Sequence, residues 1–204
     1  MKSYLNNKLY VVLVLSLYFS CGSDEGVNQI SEMEEPPSTV FEFEYNDKKY
    51  EIIKENKSWV NAAADAVTRG GYLAEVNSSG ENSAIFSAAT VRAEINLSKT
   101  IASDGGNASY IWIGGNDLSA EGEWVWNGNN DATAMQFWQG NSAGQAVDGL
   151  YNNWGNEPDN FNQAQHALGL ALTQWPVDTG NLGSERQWND IAPGNAIYYV
   201  VEYD

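Results

Sequence analysis

Apolar and polar residues change rhythm several times along the 204 positions, and each change marks an expected element. Phe41-Glu42-Phe43-Glu44-Tyr45 alternates with a period of two, which predicts a half-solvated strand. After Ser58, the residues Trp59, Val60, Ala62, Ala63, Ala66 and Val67 recur at helical spacing, and Gly70-Gly71 marks the stop. Tyr72 to Val76 predicts a strand. A second helix is expected from Ser78 to about Glu94, opened by Ser78 and Glu81 at capping-box spacing. A polar insertion from Asn96 to Asn107 leads to Tyr110-Ile111-Trp112-Ile113-Gly114, apolar enough for a buried strand. Glu123-Trp124-Val125-Trp126 predicts another, ended by Asn127-Gly128. Asn129 to Gln187, about sixty residues rich in Asn, Gly, Gln and Asp, shows no such rhythm. Loops that long inside a domain are usually functional or disordered. Ile197 to Tyr203 closes the chain with a strongly strand-forming run. The order predicts one α+β domain over residues 41–204.

The first residues follow another pattern. Lys2 and Lys8 flank the start of an almost unbroken apolar run, Leu9 to Phe19. That run is shorter than the roughly 20 residues of a membrane helix and within the roughly 7–15 of a signal-peptide core. Residues 1–20 therefore read as an export signal. The only cysteine follows in Ser20-Cys21-Gly22, at a site that resembles a lipoprotein lipobox, with Tyr18 where Leu is usual. Lipidation of Cys21 would tether the protein to a membrane without spanning it. Ser23-Asp24-Glu25 resembles the acidic tag of some surface-exposed Bacteroidota lipoproteins, which implies the outer face of the outer membrane. Residues 21–40 carry Asp24, Glu25, Glu32, Glu34, Glu35, Pro36 and Pro37 and almost nothing apolar, which predicts an extended, self-repelling linker.

Composition narrows the chemistry. One cysteine allows no intrachain disulfide and no CxxC metal or redox site. With 27 acids against 10 bases the net charge is −17 and the pI near 4.2. Such a surface repels phosphate backbones, so nucleic acid is not an expected partner. Calcium and neutral ligands fit better. At 43% hydrophobic and 12% aromatic, the chain has the material for a core, unlike a disordered acidic chain.

Several short motifs then fall into one order: Ser58-Trp59, Gly70-Gly71-Tyr72-Leu73-Ala74, Glu81-Asn82, Trp112-Ile113-Gly114, Gly122-Glu123-Trp124-Val125-Trp126 and Asn153-Trp154. Glu157-Pro158-Asp159-Asn160, Trp188-Asn189-Asp190 and the closing Tyr199-Val200-Val201-Glu202 complete it. In order and spacing, residues 45–204 resemble the C-type lectin-like domain. The resemblance implies a double-loop fold whose N- and C-terminal strands pair and whose long loop binds calcium and often sugar. The family's disulfides are missing, so packing must replace them.

Calcium takes roughly 6–8 oxygen ligands, and the long loop offers carboxylates and amides in two clusters. The resemblance implies a cis Pro158 that turns Glu157 and Asp159 toward one ion. It further implies Glu157, Asp159, Asn189 and Asp190 as ligands of a sugar-binding calcium that also contact the sugar. Gln165 would be a fifth ligand through its amide oxygen, where Glu is usual. Asp159 matches galactose-type members and Glu157 mannose-type ones, so the sugar preference stays open. Three carboxylates and two amides keep the site's charge unchanged. Asp117 and Glu121, with Asn160, match an auxiliary calcium site. Trp112, Trp124, Trp126, Trp154 and Trp188 are expected mostly in the core, whereas Trp138 and Trp175 are expected as exposed stacking platforms. His166, the only histidine, has no obvious nucleophile partner, and no Ser-His-Asp pattern occurs, so no enzymatic activity is expected. The expected function is a calcium-dependent carbohydrate-binding or adhesion module of a cell-surface lipoprotein. The alternative is a calcium-independent domain that binds protein on the same scaffold.

Overall fold

A computed structural model describes residues 38–130 and 134–204; the expected signal segment, Cys21 and the linker as far as Pro37 lie outside them. Asn46 and Asp47, both at positive φ, turn strand β1 (Val40–Tyr45) back into β2 (Lys48–Lys57). No strand is expected over Lys48–Lys57 from the sequence. Its centre, Tyr50-Glu51-Ile52-Ile53, is buried throughout, so there is no alternation to read. Helix α1 (Trp59–Thr68) buries Trp59, Ala62, Ala63 and Ala66, while Val60 and Val67 face solvent. Ser58 precedes it without a side-chain cap bond, and Gly70 leaves the helix at φ +88°.

The expected strand after the helix shrinks to β3 (Tyr72–Leu73). Ser78 does cap α2 (Ser79–Ser87), its hydroxyl accepting from Glu81 N at 3.1 Å. The reciprocal half of the expected capping box is replaced. The Glu81 carboxylate accepts from Asn77 N at 2.7 Å and from the Tyr50 hydroxyl at 2.6 Å, which ties the helix start to the sheet. A π-helical turn over Ala88–Arg92 carries the helix close to its expected end. Then come β4 (Ile101–Ala102), β5 (Ala108–Asn116) and β6 (Glu123–Trp126). The region expected as loop contains β7 (Met135–Gln139), β8 (Gln145–Ala146) and β9 (Ala167–Ala171), followed by β10 (Trp188–Ile191) and β11 (Ile197–Tyr203).

The strands join in the order β1-β2-β11-β5-β6-β7-β8, with β9 pairing both β5 and β10. The N-terminal hairpin thus lies against the C-terminal strand, Tyr199 opposite Ile53 and Glu202 opposite Tyr50. Two apolar cores flank this sheet. One gathers Trp124, Trp126, Phe137, Trp154 and Trp188, with Trp126 stacked on Phe137 at 4.4 Å and edge-on to Trp188 at 5.5 Å. The other packs Trp59 and the alanine face of α1 against Tyr110, Trp112, Trp175 and Tyr199. The five tryptophans expected in the core are all buried.

Candidate functional site

The connections on either side of β9 carry the loop chemistry, and pairing of β9 with β10 brings their ends together. Asn189 and Asp190 sit in β10 with their backbones fixed by Gly169 and Leu168 of β9. Across from them the Glu157-Pro158 bond is cis, as the resemblance implies; the Trp175-Pro176 bond is cis as well. Carboxylate oxygens of Glu157, Asp159 and Asp190 all lie within 4.8 Å of one another. Asp190 is fully buried and holds the loop: its two oxygens accept from Asp159 N at 3.2 Å and Asn160 N at 2.8 Å.

A cavity of about 250 Å³ opens beside these groups, lined among others by Asp104, Glu157, Asp159, Phe161, Gln165, Trp175 and Asn189. Two of its acceptors stand out. Glu157 Oε2 and Asn189 Oδ1 are buried oxygens without a hydrogen-bond partner among the described residues. The other atom of each group is firmly held: Glu157 Oε1 accepts from Trp175 Nε1 at 3.0 Å, and Asn189 Nδ2 donates to the Tyr110 hydroxyl at 2.9 Å. An unpaired buried acceptor is costly, by about 1–3 kcal/mol, and two in one cavity beside an acidic cluster fit a cation. The protonation equilibria agree. Burial pushes the Glu157 carboxyl up to about 8, with Asp190 and Asp159 reinforcing it against the Trp175 hydrogen bond. Burial likewise pushes Asp190 up to about 7, against the backbone N–H donors that favour its charge. A divalent ion would offset both penalties.

Gln165 reaches this cavity with its oxygen already engaged: Oε1 accepts from Phe161 N at 2.9 Å. Its Nε2 lies 3.2 Å from both the backbone and the carboxylate oxygen of Asp104. An amide oxygen has a second lone pair for an ion. Trp175 departs from expectation. It is 1% exposed, not a surface platform, because Gly155 and Gly183 leave room for its indole under the loop. Trp138 is half-buried against Trp154 and does not line the cavity. The exposed aromatic at the rim is Phe161, 53% exposed, which sequence reading missed. Its neighbour Asn160 in the Glu-Pro-Asp-Asn motif was the only signal. Asp104 and Tyr110 were missed as well, since both come from segments distant in the chain.

The auxiliary set also comes together, with one addition. Asp117 and Glu121 share a cluster with His166, and the Asn160 amide donates to Glu121 Oε2 at 2.6 Å. His166 Nδ1 lies 3.1 Å from Asp117 Oδ1 and 3.5 Å from Glu121 Oε2. Burial raises the Asp117 carboxyl and Glu121 adds to it, while the Gly122 N–H and His166 pull it back.

Comparison with known proteins identifies the family. Residues 55–191 match the model of the lectin C-type domain. The chain belongs to that family. Among solved structures, a mouse scavenger receptor C-type lectin carbohydrate-recognition domain is similar over 80% of this chain and 95% of its own. That pair has a TM-score of 0.52 and 20% identity. Human lithostathine is similar over 83% of this chain and 99% of its own, with a TM-score of 0.51 and 19% identity. A calcium-independent type II antifreeze protein matches over 82% and 93% at a TM-score of 0.50 and 17% identity. These likenesses establish the C-type lectin-like fold. A search of curated proteins returns no match.

Proposed function

We infer that this domain is a calcium-dependent carbohydrate-binding module carried by a lipoprotein that is anchored through Cys21 and displayed on the outer membrane. The observation that carries the calcium reading is the pair of unpartnered buried oxygens, Glu157 Oε2 and Asn189 Oδ1, in a cavity bordered by Asp159. Glu157, Asp159, Asn189 and Asp190 would hold the ion, with Gln165 beside them. Bound calcium would supply positive charge to which sugar hydroxyls bind. The chain's own part is orientation: carboxylates accept from hydroxyl protons, and amide N–H groups donate to hydroxyl oxygens. Phe161 at the rim presents an apolar face suited to the C–H side of a sugar ring. The cavity is smaller than the roughly 300–1,000 Å³ of a buried small-molecule site, which suits an ion and one sugar edge.

Calorimetry with calcium, paired with a glycan array in calcium and in chelator, tests this. Calcium at about a hundred times its Kd adds about 2.7 kcal/mol to stability, a Tm rise of roughly 5–10 °C for a domain of this size. Glu157→Gln and Asp190→Asn should abolish both the calcium heat and the calcium-dependent glycan signal. A wild-type protein with no calcium heat, and a partner that stays bound in chelator, would replace this reading by the calcium-independent, protein-binding one.

A further inference from the structure

The cluster of Asp117, Glu121 and His166 contains a donor that calcium does not favour. Calcium binds oxygens, whereas imidazole nitrogen suits zinc and its first-row neighbours. The backbone presents two of the three groups rigidly. Strands β5 and β9 pair with Asn116 opposite Ala167, so Asp117 and His166 are the next facing positions, joined by Asp117 N donating to His166 O at 3.2 Å. A turn, with Ala120 N donating to Asp117 O at 3.2 Å, brings Glu121 back beside them.

Distances among the donor atoms suit a small ion. Zinc holds nitrogen and carboxylate oxygen at about 2.0–2.2 Å, which places tetrahedral neighbours roughly 3.3–3.5 Å apart. His166 Nδ1 lies 3.1 Å from Asp117 Oδ1 and 3.5 Å from Glu121 Oε2. The Asp117 carboxylate is oriented from behind, as ligands of such ions are, while Asn160 steadies Glu121 through the oxygen nearest the imidazole. Gly122 N donates to Asp117 Oδ2 at 2.9 Å, leaving Oδ1 to face the imidazole, and Asn160 Nδ2 donates to Glu121 Oε2 at 2.6 Å. Asp117 is buried, the imidazole side chain is 29% exposed and Glu121 is 59% exposed, so the cluster opens to solvent on one side.

We propose that Asp117, Glu121 and His166 form a three-ligand site for a first-row transition-metal ion, zinc above all, with a fourth position open to solvent. The site is separate from the carbohydrate reading and stands without it. Asn160 links the two, because its backbone N–H donates to Asp190 while its side chain donates to Glu121.

The test uses the intact chain in saturating calcium, so that the first cluster is filled. Cobalt(II) titration should give the intense visible bands of a tetrahedral N/O site, and zinc should bleach them at stoichiometric amounts. His166→Gln should remove the bands and weaken zinc binding at least a hundredfold, with calcium heat unchanged. Glu121→Gln, at an exposed position, should weaken zinc at least tenfold and guards against a folding defect in the first variant. The proposal is overturned if the wild type gives no tetrahedral cobalt spectrum, which would leave a histidine hydrogen-bonded to Asp117 and nothing more. It is equally overturned if both variants bind zinc as the wild type does, or if calcium displaces zinc at equal concentration.

Discussion

Asn160 shows how much geometry one short side chain can set. At φ 48° and ψ 50° it occupies the left-handed region that Asn tolerates better than most residues. From there its N–H reaches Asp190, its amide oxygen accepts from Gln165 N at 3.1 Å and its amide nitrogen donates to Glu121. Gln165 is a similar case, serving as a brace between Phe161 and Asp104 in addition to any role as a ligand. Away from the site, Glu75 carries the clearest pH signature. Burial pushes its carboxyl up to about 7, the nearby Glu202 carboxylate adds to this, and the Gly128 N–H and Lys48 oppose it. A folded value above the unfolded one of about 4.3 means that the folded state holds the proton longer. Stability from this group is therefore complete below about pH 4 and is lost as pH rises through 7. Glu75→Gln should remove that loss. At pH 8 it should stabilise by on the order of 1 kcal/mol after allowance for solvent screening, and at pH 4 by almost nothing. Calorimetric melts at the two pH values decide it; an equal effect at both would refute the assignment.

At the scale of elements, the strands that alternate or carry long apolar runs were legible, namely β1, β5, β6 and β11, as were both helices. Those embedded in the Asn- and Gly-rich stretch were not. Met135–Gln139 and Ala167–Ala171 are five residues each, too short for a period to emerge, and their strand character comes from pairing with β6 and β5. The segment between β9 and β10 is shaped around Trp175. Its backbone bonds to Gly183 in both directions, at 3.0 and 3.1 Å, and its indole lies where a side chain at 183 would be. A Cβ added at Gly183 would fall 2.0 Å from the ring. Gly183→Ala should therefore displace the indole and break its bond to Glu157. Hydrogen bonds to charged groups contribute about 1.5–3 kcal/mol, so calcium affinity should drop roughly ten- to hundredfold, with far-UV circular dichroism retained. Unaltered affinity in this variant would show that Trp175 does not orient Glu157.

For the molecule as a whole, aromatic packing dominates both cores. Trp126, Phe137, Trp154 and Trp188 interlock in one core, and Trp59, Tyr110, Trp112 and Trp175 in the other. Cys21, the only cysteine of the sequence, is the proposed point of lipid attachment. Among the described residues no helix is long and apolar enough to cross a membrane. Cells fed a labelled fatty acid should incorporate label into the wild-type chain and none into Cys21→Ala, with the variant released from the membrane fraction. Equal labelling of both would remove the lipoprotein reading. The sequence by itself determined the family, the helices, five of the buried tryptophans and the acids around Pro158, because these depend on local pattern and on motifs in order. Only the tertiary structure decided which donors face one another. His166 meets Asp117 through the register of β5 on β9, and Trp175 is buried because Gly155 and Gly183 on either side of it in the chain make room. Asn189 keeps an unpaired oxygen because Tyr110 takes its nitrogen. Each of these turns on contacts between residues separated by many positions, which no local pattern encodes.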